Sequence, residues 1–297
     1  MEQAMKKIVY IIIFFTNTAI AFSQTTEEIK LTNNSTDDRY ASYSPTGEQI
    51  IFESNREENW GIYIMDSDGK NQRRLVVSEF EDRRPSWHPN GKTIIFESNR
   101  SAKNELYEFH FNSGKIVKID ILGIDGEPSF AQYSPNGEKI AFTLKKSDQK
   151  SNIAIIDRKG TSLKLITNYA FRSFYPDWFT DNKTILFSSR HETNNEDDEI
   201  YRINIDGTGK ERLTNWSKHN FCARWSNDGR KIAYVTSMEN NRPEIYIMDA
   251  NGENQVRITH NNDGDTLPNW SADSKKLLIT GFRDGNYEIC ELTIHTN

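Results

Sequence analysis

The 297-residue chain is poor in several features that announce a function. It has two cysteines, too few for a disulfide framework. Cys222 and Cys290 fall in predicted interior strands of different repeats, so two buried free thiols are expected. The net charge of −6 and the lack of a basic stripe exclude nucleic acid as a partner. No G-x-S-x-G nucleophile elbow is present. The six histidines show no H-x-x-x-H or similar spacing. DSDGKN (Asp66 to Asn71) and DANGEN (Asp249 to Asn254) begin like calcium loops. They lack the glycine at position six and the glutamate at position twelve, and read as hairpin turns.

Long hydrophobic runs are missing too. Ile8 to Phe15 is eight residues, against the roughly twenty that span a bilayer. Lys6 and Lys7 precede it and Ala19-Ile20-Ala21 follows, the pattern of a signal peptide over residues 1–21. No cysteine follows the run to accept a lipid. The expected mature chain, 22–297, is periplasmic or secreted, without a transmembrane segment.

Repetition is what the chain has in quantity. IIFESNR occurs at Ile50 to Arg56 and again at Ile94 to Arg100. Aromatic markers recur at Tyr43, Trp87, Tyr133, Trp178, Trp225 and Trp270, separated by 44, 46, 45, 47 and 45 residues. Four residues after each stand Gly47, Gly91, Gly137, Asn182, Gly229 and Ser274. An apolar run follows each time (QIIF, TIIF, KIAF, TILF, KIAY, KLLI), then a second such as GIYIMD or EIYIMD, then a third such as ERLT or VRIT. A period of this length indicates a solenoid, propeller or array.

Each unit reads as four antiparallel strands. The turns SPTG, HPNG, SPNG and SNDG place proline, asparagine or aspartate, and glycine where a tight turn wants them. Asn182 is the best substitute for glycine at the left-handed position and Ser274 the poorest, so a looser sixth turn is expected. The second strand is apolar on both faces, as in a strand packed between sheets. Six four-stranded units make an all-β, six-bladed β-propeller. Five fourth strands follow their own blades, and the sixth is missing at the C-terminal end. EIKLT, Glu28 to Thr32, matches the ERLT series, so residues 28–32 are predicted to complete the last blade and close the ring. Residues 22–297 are thus expected to form one domain, and a monomer.

The motif P-x-W-S-P-[DN]-G-K-x-I-A-F…S-N-R…E-I-Y-x-M-D-x-[DN]-G…R-L-T resembles the TolB-type propeller repeat of bacterial envelope proteins, over residues 28–295. TolB carries an N-terminal α/β domain ahead of its propeller. Here about six residues separate the expected cleavage site from the first propeller strand. The resemblance implies an envelope-protein partner, such as a peptidoglycan-associated lipoprotein.

Propeller connectivity sorts the short turns to one face and the long, variable loops and inter-blade links to the other, where function concentrates. Two features stand out there. Asp38, Asp82 and Asp265 occupy equivalent positions at the channel mouth, with Pro128, Ser173 and Asn220 in the other blades. Three converging carboxylates can hold Ca²⁺; alternatively, each caps its inter-blade loop. The links into blades four and five are aromatic and basic, with Phe171, Arg172, Trp216, Lys218 and His219 as partner-binding candidates. Phe174 and Phe221, nearer the inner strand, are expected to plug gaps between blades. HETNNEDDE, His191 to Glu199, reads as a solvated acidic loop.

No catalytic signature emerges, and the reading is a non-catalytic protein-binding module of the cell envelope acting through its loop-rich face. The alternative is a polysaccharide-active enzyme, a lyase or glycosidase, at the channel mouth, with His219, Asp82 and Asp265 as the available groups.

Overall fold

The computed structural model describes residues 27–146, 150–168, 172–190, 197–215, 218–237, 242–261 and 263–295. The expected signal peptide, Phe171 and Trp216 lie outside them. The described residues form six antiparallel four-stranded sheets, arranged as the blades of a propeller. Among them, no helix is long and apolar enough to cross a membrane. Inner strands are Asp38–Tyr43, Asp82–Trp87, Glu127–Tyr133, Ser173–Trp178, Asn220–Trp225 and Asp265–Trp270.

The second strands hold the molecule together. Ile50, Ile51, Phe52, Ile94, Ile95 and Phe96 have no exposed surface, and each such side chain contributes about 1.5–3 kcal/mol by burial. Their two faces serve different neighbours. Ile51, Ile62 and Ile64 of blade one pack with Trp87, Ile94 and Phe96 of blade two. Ile50 and Phe52 pack the other way, onto Leu278 and Ile289 of blade six. Cys222 and Cys290 are buried free thiols in the seam between blades five and six.

The ring closes with the N-terminal strand. Glu28–Lys30 pairs antiparallel with Asn286–Thr293, in the register Glu28 to Leu292 and Lys30 to Cys290. Two residues on, the Thr32 hydroxyl accepts the Ile289 N–H at 2.9 Å and donates to buried Glu288 at 2.5 Å. Thr259 does the same for Ile245 and Glu244 at 3.0 and 2.5 Å. Thr214 does so for Ile200 and Glu199. The L-T ending of the motif is therefore a clasp, and the N-terminal segment carries its own copy.

All six strand-one to strand-two turns place their fourth residue at positive φ, Asn182 at 59° and Ser274 at 59° included. The sixth turn is not looser. Ser274 N–H reaches Ser271 O at 2.9 Å, inside the 2.7–3.2 Å range of the other five. The reason is an inter-blade contact: the Ser274 hydroxyl accepts the Asp228 N–H of the preceding turn at 3.1 Å. Asn182 accepts the Asn136 N–H in the same way at 2.8 Å. What the side chain costs in strain is offset by a bond that glycine cannot make.

Each inner strand bulges once. The bulge sets Tyr40, Arg84, Phe130, Tyr175, Cys222 and Leu267 at φ between 51° and 58°. Left-handed backbone costs a non-glycine residue roughly 1 kcal/mol, so six in a ring need support. It comes from the preceding blade. Arg84 N–H donates to Glu53 (2.8 Å), Phe130 to Glu97 (2.6 Å), Tyr175 to Thr143 (3.2 Å), Cys222 to Ser188 (3.2 Å) and Tyr40 to Thr280 (3.3 Å). Val235 occupies that position in blade five, and Leu267 N–H turns to the Cys222 sulfur instead.

Candidate functional site

The mouth of the channel on the loop-rich face divides into two unlike halves. In blades six, one and two the first residue of the inner strand is a fully buried aspartate. Asp38 binds Arg56 Nη2 at 2.8 and 3.0 Å, Asp82 binds Arg100 Nη2 at 2.7 Å, and Asp265 binds Arg283 Nη2 at 2.9 Å. Each aspartate ties the start of strand one to the end of strand two of its own blade. Ser54 and Ser98 orient the arginines by accepting from Nε, both at 2.9 Å. Asn55 and Asn99 take the backbone N–H of Asp37 and Glu81 at 2.9 and 3.1 Å. Every polar letter of the repeated ESNR thus has a partner, and the half-ring is latched shut.

Blades three, four and five lack that latch, since Pro128, Ser173 and Asn220 replace the aspartate. Their side of the mouth opens into a cleft of about 800 Å³. Phe130, Phe174, Tyr175 and Phe221 line it, with Lys145, Arg172, Arg190 and His219. The rings touch: Phe130 meets Tyr175 edge-on at 4.2 Å between centroids, and Phe174 lies 5.0 Å from Tyr175.

One carboxylate gathers the charged groups of this cleft. Asp198, just before the third strand of blade four, is buried. Arg172 Nη2 lies 2.6 Å from Asp198 Oδ2, Arg190 Nε 3.2 Å from Oδ1, and His219 Nδ1 3.1 Å from Oδ2. The Asp198 N–H also donates to His219 Nδ1 at 3.2 Å. The two contacts at Nδ1 suit opposite tautomers, so protonating this nitrogen favours the carboxylate and deprotonating it favours the backbone N–H. The Arg172 guanidinium stacks over Phe174 at 4.6 Å. With two arginines and an imidazole around one buried acid, Asp197 at the rim and stacked rings beside them, the cleft suits an anionic group attached to an apolar or aromatic body.

The residues singled out by sequence are placed unequally. Arg172 and His219 come together through Asp198. Lys218 sits beside them, its carbonyl accepting from Asn220 Nδ2 at 2.9 Å. Phe174 and Phe221 line the cleft, and Phe221 also packs against the core between blades five and six, as expected of a ring that fills a gap between blades. Asp38, Asp82 and Asp265 are not gathered: each is committed to the arginine of its own blade. Among the described residues no group of three or more His, Cys, Asp or Glu side chains is arranged to hold a metal ion. His219 lines the cleft, whereas Asp82 and Asp265 are not among its lining residues.

Asp198 and Arg190 were missed. Asp198 looked like part of a solvated acidic run, and only the fold shows that it turns inward. A signal did exist. Aspartate with arginine eighteen residues later occurs in three consecutive blades and fails in the next three.

The sequence profile of the family described as the TolB beta propeller domain matches residues 5–130, 120–242 and 194–297. No curated protein has significant sequence similarity to the chain. Among solved structures, a protein designated TolB from Agrobacterium tumefaciens superposes with a TM-score of 0.64 at 24% identity, over 71% of this chain and 74% of that one. TolB from Acinetobacter baumannii gives 0.63 at 21%, over 88% of this chain and 64% of that one. An oligogalacturonate lyase in complex with manganese gives 0.64 at 13%, over 92% and 94%. At such identities the likeness is one of fold.

Proposed function

Since the chain belongs to the TolB beta propeller family, we propose that it is an exported, non-catalytic binding module of the cell envelope. In this reading a protein partner docks on the loop-rich face, into the cleft of blades three to five. The observation that carries it is the half-open mouth: three blades are latched, and the other three present aromatic rings and cations around one buried aspartate. Partly buried rings beside arginine are the composition of binding hot spots. The matching segment of the partner carries a carboxylate next to an apolar or aromatic side chain. A peptidoglycan-associated lipoprotein from the same envelope is the first candidate. Phe171 and Trp216 lie outside the described residues; as sequence neighbours of Arg172 and Lys218 they are proposed for the same surface.

Retention on immobilised residues 22–297 tests this, beside an Arg172→Ala/His219→Ala variant and a Phe171→Ala/Trp216→Ala variant. An envelope protein held by the parent and released by both variants supports the module.

A second reading, an enzyme acting on acidic polysaccharide, is favoured by the same cluster, since His219 against a buried carboxylate is a group that can move a proton. Incubation with polyuronides separates the two. New reducing or unsaturated ends that vanish in the Arg172→Ala/His219→Ala variant would replace the binding-module reading with the enzyme.

A further inference from the structure

The opposite end of the channel holds a second site, independent of the reading above. The inner-strand residue just before each aromatic marker faces the channel: Ser42, Ser86, Gln132, Asp177, Arg224 and Asn269. All six are polar, with one base and one acid. Around them the Ser-Pro turns and the marker tryptophans form a funnel of about 400 Å³, within the roughly 300–1,000 Å³ of small-ligand sites.

Arg224 is the unusual member. It is 9% exposed, yet the hydrogen bond it makes among the described residues is from Nη1 to the carbonyl of its own neighbour Ala223, at 3.2 Å. A guanidinium carries five N–H donors, and the unbonded ones of Arg224 are not sealed from solvent, so a ligand in the funnel can reach them. Arg56, Arg100, Arg172, Arg190 and Arg283 of the loop-rich face each contact a carboxylate; among the described residues Arg224 makes no such contact. Asp177 accepts the Trp225 N–H at 2.8 Å, and Arg224 acts on its charge without contacting it among the described residues. Among the described residues Trp225 Nε1 and the Ser42 hydroxyl also lack a partner, but both atoms are sealed from solvent and are not presented to the funnel. Trp87, Trp178 and Trp270 in the same position do have partners, the carbonyls of Ser42, Gln132 and Arg224 at 3.1–3.2 Å.

A guanidinium on the wall of a cavity, with most of its donors unbonded among the described residues, calls for an acceptor. We infer that the turn-face funnel binds a small organic carboxylate, seated on Arg224, whose own hydroxyl or ammonium group faces Asp177. A carboxylate offers acceptors only and matches the guanidinium fork in two bonds. A single guanidinium opposed by an aspartate suits one negative charge better than two, so sulfate is disfavoured. The flanking Gln132 and Asn269 amides supply both donors and acceptors for a ligand that carries hydroxyls.

Binding is read by tryptophan fluorescence and by calorimetry on the full chain. Glycolate, L-serine and D-galacturonate are the probes, with sulfate and glucose as controls. At least one carboxylate is expected to saturate, with sulfate and glucose weaker. Arg224→Gln should weaken it at least about tenfold, the scale of losing a charge-assisted pair. Lys115→Gln, an exposed change on the outer strand of blade two, should leave it unaltered. If Arg224→Gln does not fold, Asn269→Leu, similar in volume, should show the loss instead. Three outcomes overturn the proposal: no saturable carboxylate binding at millimolar concentration, equal binding of glucose or sulfate, or binding indifferent to the folded variant.

Discussion

Glu97 shows how much one side chain of the repeat can carry. Its buried carboxylate takes the Phe130 N–H at 2.6 Å, Arg84 Nη1 at 2.6 Å, Asn104 Nδ2 at 2.9 Å and the Ser129 hydroxyl at 3.1 Å. Glu97→Ala leaves a partly buried arginine and a strained N–H without their acceptor. A loss of about 3 kcal/mol is expected, or a melting point roughly 6–12 °C lower; Glu97→Gln, which can still accept, should lose less. Calorimetry on both variants checks it, and equal losses would mean that charge rather than the bulge support matters. Asp177 behaves in the opposite way. Burial raises its pKa to about 6 from 3.8, with Arg224 the charged group facing it from the neighbouring blade. The folded state therefore holds the proton more tightly than the unfolded chain does. Stability from the neutral acid is full below about pH 4 and is lost as pH rises through 6. Asp177→Asn should accordingly stabilise by about 1–2 kcal/mol at pH 7.5, allowing for the water that reaches the funnel, and much less at pH 4.5. Melting curves at the two pH values decide this; a gain that does not depend on pH would point to packing instead.

At the scale of the element, the sixth turn offers a clean comparison. Ser274→Gly relieves a left-handed serine but forfeits the bond to Asp228, so the two effects should cancel within about 0.5 kcal/mol. Ser274→Ala keeps the strain and loses the bond, and should cost about 1 kcal/mol. Chemical denaturation of both resolves it, and equal costs would refute the inter-blade account. Strand order, blade boundaries and closure were legible because period, turn chemistry and two-sided apolar runs repeat six times. The match of EIKLT to the ERLT and VRIT series was legible too, but not the clasp that its threonine makes. The candidate cleft was not, for a physical reason: it arises where repetition fails. Pro128, Ser173 and Asn220 could be read as gaps in the aspartate series, but nothing local tells that Asp198 turns inward to gather Arg172, Arg190 and His219. The bulge ring was hidden because its six residues differ in type; backbone position, not side chain, is what they share.

At the scale of the whole molecule, closure makes blades one and six depend on a three-residue strand. Removing residues 22–33 should lower the melting temperature sharply, since it bares a sheet edge and deletes the Thr32 clasp. The thiols report the same event. Burial holds Cys222 up at about 11 and raises Cys290 as well, so both should resist a thiol reagent in the intact ring. In the shortened chain Cys290, which loses Lys30 as its strand partner, should react first. Equal labelling of both would mean that the ring opens as one unit. The pairing of Glu28–Lys30 with Asn286–Thr293 also fixes an order of events during synthesis. The first strand to be made is among the last to find its place, because its partner is translated about 256 residues later. Until then every nascent intermediate has an unsealed seam. A ribosome that stops early therefore releases a chain that cannot finish itself, and a protease can tell it from the finished product by that seam alone.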